Sequence, residues 1–309
     1  MIPNFVRERE QKGLGFDLYF AGSQSQETEK WMLKHGSCRL QSQLNDRKNI
    51  EKWCQHNKKG KLFIDSGAYT AYTLGKKLDV DEYIQYLNSI TDKLTCFAQV
   101  DHIPGTNGEV EKAAELSWNN YLYMRKRVTE PDKLLPIFHQ GEDCRWLENM
   151  LNYKDENGER IKYIGFGYLV GATSLERKQF FDYSFSIISK SSNPNIKVHA
   201  MGMTSLGLLE TYPFYSADST SWIMVGASGT IMTPWGNIDV SEKDKFAKTN
   251  LRNMKHGKVI IEWLEKNGLI VEELYTDYKK RMMCNLIYLT EWSKNYRFKG
   301  SMVSRKKLF

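Results

Sequence analysis

The stretch IKYIGFGYLVGATSLERKQFFDYSFSIISKSSNPNIKVHAMG (161–202) reads as a strand, a helix and a second strand. IKYIGFG (161–167) and IKVHAMG (196–202) are short, nearly continuous apolar runs, the pattern of strands covered on both faces. SLERKQFFDYSFSIISK (174–190) between them reads as a helix. A helix linking two such strands is a crossover unit, and crossover units build parallel sheets.

The alternation continues in both directions. Upstream, FDLYFAG (16–22), KLFID (61–65), CFAQVD (96–101) and LLPIFHQ (134–140) read as strands. Helices are expected over 25–36, 79–90, 107–128 and 142–153, the second capped by Asp79. Downstream, SLGLLETYP (205–213) reads as a short helix and FYSAD (214–218) as a strand. An eighth strand is expected within WIMVGASGTIMT (222–233). Seven or eight units, with no GxGxxG opening the first, predict a closed (β/α)8 barrel of the TIM type rather than a doubly wound sheet. Residues 1–240 are expected to form this barrel. Residues 241–309, helical over much of 259–296, are expected to be a basic helical extension packed on it.

The chain has 309 residues, enough to bury a sizeable core, and 41% hydrophobic with 26% charged residues is not the composition of a disordered chain. No apolar run approaches the ~20 residues of a membrane helix. The first residues, MIPNFVREREQ, turn polar at once, so no secretory signal is expected and the cytoplasm is the expected location. The five cysteines are scattered and form no CxxC pair, so reduced thiols are expected rather than disulfides or a zinc knuckle.

The net charge of +7 is unevenly spread. From Lys279 onward there are nine Lys/Arg against one acid, Glu291, which leaves residues 1–278 at −1. Lys279, Lys280, Arg281, Lys294, Arg297 and Lys299, interleaved with Tyr288, Trp292, Tyr296 and Phe298, are candidates for holding a nucleic acid by phosphate pairing and base stacking. The alternative is a solvated charged face on a helix that packs its aromatic stripe on the core.

In a (β/α)8 barrel the reactive groups stand where the strands end. Those ends read Asp65-Ser66-Gly67, Asp101-His102, His139-Gln140-Gly141, Gly165-Phe166-Gly167, Met201-Gly202-Met203 and Asp218-Ser219. A single strand-end Asp can simply cap the next helix. Carboxylates, imidazole and amide gathered at one end point to a shared site.

These segments resemble the tRNA-guanine transglycosylases. FIDSGAYTAY is similar to that family's DSGGYQ or DSGGFQ segment, with Asp65, Ser66, Gly67 and Tyr69 on its functional positions. AQVDHIPG matches a substrate-binding segment at Asp101. IFHQGED resembles the VQGG segment at Gln140 and Gly141. YIGFGYLVG is similar to YAVGGLAVG, with Gly167, Val170 and Gly171 in register. VHAMGMTSLGLLETY resembles MGVGTPEDLLEAV at Met201 and Gly202, and YSADSTSW puts Asp218 at the nucleophile position. The likeness spans roughly residues 15 to 235. Two parts of the tRNA enzymes have no counterpart: the arginine-rich stretch after the nucleophile, replaced by STSWIMVGASGT, and the CxC…C…H zinc set. Compact relatives that insert 7-deazaguanines into DNA, often carried by phages and mobile elements, are the nearer match.

The resemblance implies a pentosyltransferase that exchanges guanine in DNA for a free 7-deazaguanine base. Asp218 is then the nucleophile toward C1′, and Asp65 the general acid/base. Ser66, Gly67, Tyr69, Asp101, His102, His139, Gln140, Gly141, Gly167, Tyr168, Met201 and Gly202 are the expected substrate-binding residues. Asp101 takes the N1–H and 2-amino donors, and Tyr69 and Met201 sandwich the ring. The substrate base must be flipped or single-stranded. tRNA is the alternative polymer. A metal-dependent barrel hydrolase using His102, His139 or His199, or a non-catalytic nucleic-acid-binding barrel, are further alternatives. No HxH or HExxH motif is present, so neither metal nor cofactor is expected.

Overall fold

A computed structural model describes residues 2–22, 25–56, 59–103, 109–167, 171–241 and 251–300. The fold is a (β/α)8 barrel. Its parallel sheet comprises β1 (Asp17–Ala21), β2 (Cys38–Ser42), β3 (Leu62–Asp65), β4 (Cys96–Ala98), β5 (Leu134–Leu135), β6 (Ile137–His139), β7 (Tyr163–Gly167), β8 (Lys197–Ala200) and β9 (Ser216–Ser219). The pairing order is β5-β4-β3-β2-β1-β9-β8-β7-β6. β5 and β6 are halves of one strand broken at Pro136, which has no N–H to give to a ladder. β5 pairs with β4 (Ala98 opposite Leu135) and β6 with β7 (His139 opposite Gly167), so this broken strand closes the ring. The Pro136 carbonyl still accepts from Gly165 N at 2.8 Å.

The eighth strand is not where the sequence suggested. Residues 222–233 form part of the helix Ser221–Ala227 and then β10 (Thr230–Thr233), which pairs antiparallel with β11 (Gly236–Asp239) as a separate hairpin. The missing barrel strand is β2, CRLQS. Arg39 and Gln41 hide its identity, yet both are buried. Arg39 donates to the carbonyls of Phe20 (2.8 Å) and Gly22 (2.7 Å) and pairs with Glu29 at 3.0 Å. A strand whose outward face is satisfied by such a polar anchor need not read as an apolar run.

Two cores follow from the period of two along each strand. Outward side chains such as Leu18, Ile64, Phe97, Ile164 and Val198 pack under the helices, while Tyr19, Phe63, Cys96, Leu135, Ile137 and Tyr163 fill the barrel. At the end where strands begin, Asp17 is paired with Arg9 of the helix Asn4–Lys12 at 3.0 Å and with Lys61 at 2.6 Å. This base leaves the opposite end, the mouth, for chemistry.

Beyond residue 240, the helix Tyr278–Lys294 joins the outer layer, packing against β1 and the helix Ser221–Ala227. Seventeen residues span about 25 Å, so the candidate basic residues do not form one surface. Lys280 meets Glu27 near the start of the helix at 3.2 Å. At its other end Ser293 O accepts from Phe16 N at 2.7 Å, at the barrel base and away from the mouth. There Lys299 pairs with Glu210 at 2.7 Å. Lys279, Lys294 and Arg297 are exposed. The aromatic stripe packs inward: Tyr296 OH donates to Leu209 O at 3.0 Å, and Trp292 Nε1 to Glu210 at 3.0 Å.

Arg281 is a correction to the sequence expectation. It is 4% exposed and donates to the carbonyls of Gly226 and Leu274, both at 2.8 Å, so its guanidinium is spent inside the fold. Arg281→Ala strands these carbonyls and is expected to cost about 3 kcal/mol of unfolding free energy. Lys279→Ala is expected to stay within about 0.5 kcal/mol. Urea denaturation of both variants checks the contrast.

Candidate active site

Asp65 ends β3, Asp101 stands three residues past β4, His139 ends β6, Met201 and Gly202 follow β8, and Asp218 lies in β9. All six line one cavity of about 180 Å³ at the mouth, with Tyr69, Gly167, Leu40, Ile103 and Ile137. The three carboxylates lie together, and each is handled differently.

Asp218 is 7% exposed. Its Oδ1 takes two donors, the Gly202 N–H at 2.8 Å and His199 Nε2 at 3.1 Å. Among the described residues no hydrogen bond reaches Oδ2. His199 is fully buried, and its other nitrogen, Nδ1, meets Ser216 Oγ, which in turn meets Tyr163 OH. In the neutral tautomer that donates Nε2–H to the carboxylate, Nδ1 accepts from the Ser216 hydroxyl, and the protons of this spine point toward Asp218. Ser216, His199 and Asp218 share the connectivity of a serine-hydrolase triad, but in reverse. Ser216 is 0% exposed inside the barrel, and the Asp faces the cavity.

Asp65 accepts from Gly67 N at 3.0 Å. Gly67 holds φ +82°, and a Cβ there would stand 2.7 Å from both Leu44 Cβ and Ser42 Oγ, so the turn after β3 requires glycine. Burial, then the charges of Asp101 and Asp218, push the Asp65 carboxyl up to about 7, against the pull of the Gly67 and Ser66 N–H groups. A carboxyl so placed exists in both protonation states at neutral pH.

Asp101 is held by an imidazole. His139, 1% exposed, sends Nε2 to Asp101 Oδ2 at 2.8 Å and Nδ1 to Glu142 Oε1 at 2.7 Å. Glu142 Oε2 also accepts from His139 N at 3.0 Å. Gly141, with φ +96°, turns the chain so that Glu142 returns to the ring three residues behind it. Burial opposes charge on His139, but the two carboxylates outweigh it and raise its pKa to about 10. Gly167 gives the ring room, since a Cβ there would lie 3.0 Å from His139 Cδ2.

Of the expected substrate-binding residues, the cavity gathers Tyr69, Asp101, His139, Gly167, Met201 and Gly202. Ser66 is buried beside it and lines a separate cavity of about 300 Å³ with Arg47, Lys77 and Tyr83. Gly67 and Gly141 act through their turns. His102 is exposed and is not in the cavity wall, and its backbone N–H donates to Ser117. Gln140 lies outside the cavity wall, with a buried Oε1 that has no partner among the described residues. Tyr168 and Val170 fall outside the described residues. Sequence reasoning missed Glu142 as a site residue, although HQGED carries it at the (i, i+3) spacing from His139. It also missed the Ser216–Tyr163 end of the spine, for which strand alternation was the available signal.

Among the described residues no group of three or more His, Cys, Asp or Glu side chains is arranged to hold a metal ion. Both ring nitrogens of His139 and of His199 are already engaged. No described helix is long and apolar enough to cross a membrane. No protein-family model matches the chain, and no curated protein matches it.

The Asp65 shift carries a stability consequence. Its pKa is raised above the unfolded value, so its contribution is full at low pH and is lost as pH rises through about 7. Asp65→Asn removes that dependence. Its stability relative to the parent is expected to improve by about 2 kcal/mol between pH 5 and pH 8, as read by chemical denaturation at the two pH values. An unchanged difference would refute the buried, proton-holding Asp65.

Proposed function

We propose that the chain is a base-exchange transglycosylase that replaces guanine in DNA with a free 7-deazaguanine. One observation carries this reading: a carboxylate with one oxygen free and one fixed shares a small cavity with a carboxyl that switches protonation near neutrality. Retention at C1′ needs two displacements, the first made by a carboxylate and the second reversing it. Asp218 Oδ2 attacks C1′ as the bond to guanine N9 breaks, and the purine leaves with the Asp65 proton. The incoming base then returns a proton to Asp65 as its nitrogen attacks C1′ and frees Asp218. Bonds and protons balance over the cycle.

The cavity suits one heterocycle. Its volume of about 180 Å³ is below the range of drug-sized pockets, so the base and the C1′ it hangs from enter while the phosphates stay outside. Asp101, fixed by His139, is an acceptor for paired N–H donors such as the guanine N1–H and 2-amino groups. Tyr69, 48% exposed at the lip, and Met201 offer faces for the ring. On the outer rim Tyr72, Leu74, Lys76 and Lys77 are all exposed. This rim, rather than the distant end of the C-terminal helix, is the surface on which the strand runs. DNA is favoured over tRNA because STSWIMVGASGT stands in place of the arginine-rich stretch.

Labelled guanine or 7-deazaguanine, incubated with the protein and single-stranded DNA or tRNA, is expected to enter the DNA. Asp218→Ala abolishes both exchange and a denaturation-resistant protein–DNA adduct, and Asp65→Asn lowers kcat about 10²-fold or more. Label entering tRNA alone would change the polymer. Exchange into neither, or an adduct persisting in Asp218→Ala, would overturn the mechanism.

A further inference from the structure

Asp65 and Asp101 line one cavity, and two neighbouring carboxyls largely held out of bulk water share protons unless something separates them. Either could hold the proton. The difference lies in what stands behind each. Behind Asp65 are backbone N–H groups, with Tyr83 giving its hydroxyl to the carbonyls of Ala98 (3.0 Å) and Ile64 (3.4 Å) and not to the carboxylate. Behind Asp101 is His139, bonded at 2.8 Å and itself anchored by Glu142 through the ring at 2.7 Å and through the backbone N–H at 3.0 Å. Glu142 is buried, with a side chain 2% exposed.

We infer that the His139–Glu142 pair decides which of the two carboxyls carries the proton, keeping Asp101 ionised and leaving the proton to Asp65. The pair thus acts as a positioning device behind the base-binding carboxylate. The inference deepens the base-exchange reading and rests on it for its consequence in specificity. Other titratable groups near the two carboxyls are Asp218 from β9, with His199 behind it, Tyr83 and Tyr69 from the helices after β3, and His102 beside Asp101. None of these is bonded to Asp101 among the described residues, so its partner in charge is His139.

The chemistry makes the allocation matter. A carboxylate accepts two hydrogen bonds from the donor–donor edge of guanine or a 7-deazaguanine. A protonated carboxyl presents a donor and an acceptor, and that matches adenine at N1 and its 6-amino group. Glu142 holds His139 charged, His139 holds Asp101 ionised, and adenine meets an acceptor where it needs a donor. The same allocation keeps the proton on Asp65, where the leaving base needs it.

The test follows the carboxyl carbons of aspartates and the ring carbons of histidines labelled with carbon-13, by NMR across pH 5–11, in the parent, His139→Gln and Glu142→Gln. In the parent, the Asp65 signal is expected to titrate near neutrality while that of Asp101 stays in its ionised position. In His139→Gln the Asp101 signal is expected to titrate in the same range as Asp65. Glu142→Gln, the milder variant should His139→Gln fail to fold, is expected to lower the titration of the His139 ring from about 10 toward neutral pH. With exchange activity as readout, competition by adenine against guanine is expected to strengthen about tenfold in either variant, consistent with a lost or mispaired hydrogen bond. Asp101 remaining ionised in His139→Gln, or an unmoved His139 titration in Glu142→Gln, overturns the inference whether or not the protein exchanges bases. A parent that exchanges no base refutes the functional reading alone, because the NMR titration still decides where the proton resides.

Discussion

Charge in a desolvated space is the constraint under which the mouth is built. Three carboxylates line one small cavity, and an ion held there out of water and left unanswered would cost several kcal/mol. The fold answers each one differently. Asp218 receives an N–H from Gly202 and another from His199. Asp101 receives a buried imidazole that a fourth carboxylate, Glu142, holds in place. Asp65 receives only backbone N–H groups and is pushed up to about 7. Separating the behaviour of like groups through their surroundings is how one site comes to hold both a fixed charge and an exchangeable proton.

Asp17 shows the contrasting case on the neighbouring strand. It is as buried as Asp218, and it meets Arg9 and Lys61, which hold it below the ordinary carboxylate range against the cost of burial. It has strong cationic partners and closes the base of the barrel. Among the described residues, none that lines the mouth cavity is a lysine or arginine. A lysine or arginine bonded to both oxygens, as Arg9 and Lys61 flank Asp17, would leave no acceptor for a ligand, whereas His139 and His199 each take one oxygen of Asp101 and Asp218 and leave the other available. Two ends of one barrel thus use the same side chain for opposite purposes, and the partner decides which.

Much of this was legible in the sequence because strand ends in a parallel barrel are marked by an abrupt change from apolar to polar. Asp65, Asp101, His139 and Asp218 all follow such runs, and all reach the same cavity. β2 was not legible: its outward Arg39 and Gln41 are buried by tertiary partners that no local pattern reveals. The eighth strand was sought downstream for lack of it. The basic C-terminal stretch was legible as charge but not as position, since a helix of about 25 Å carries its two ends to different parts of the molecule. Arg281 looked like its neighbours and is buried. Ser66 and Gln140 followed a segment match, but alternation turned their side chains away from the cavity.

The distribution of charge also bears on how a polyanion approaches such a mouth. A cavity lined by carboxylates repels phosphate and attracts donors, so on the base-exchange reading the neutral base enters with its C1′, leaving the phosphates on the rim. That separates two tasks that a single cationic pocket would confuse. Phosphate contacts give affinity without reading the base, and they need a surface such as that bearing Lys76 and Lys77, outside the chemistry. On the base-exchange reading recognition falls to Asp101, and on the inferred allocation of the proton His139 is what leaves it free to accept. On that reading the His139–Glu142 pair is more than a packing detail: without it Asp101 would keep no bonded partner among the described residues, while Asp65 would keep its Gly67 N–H, and the proton would no longer be assigned to Asp65.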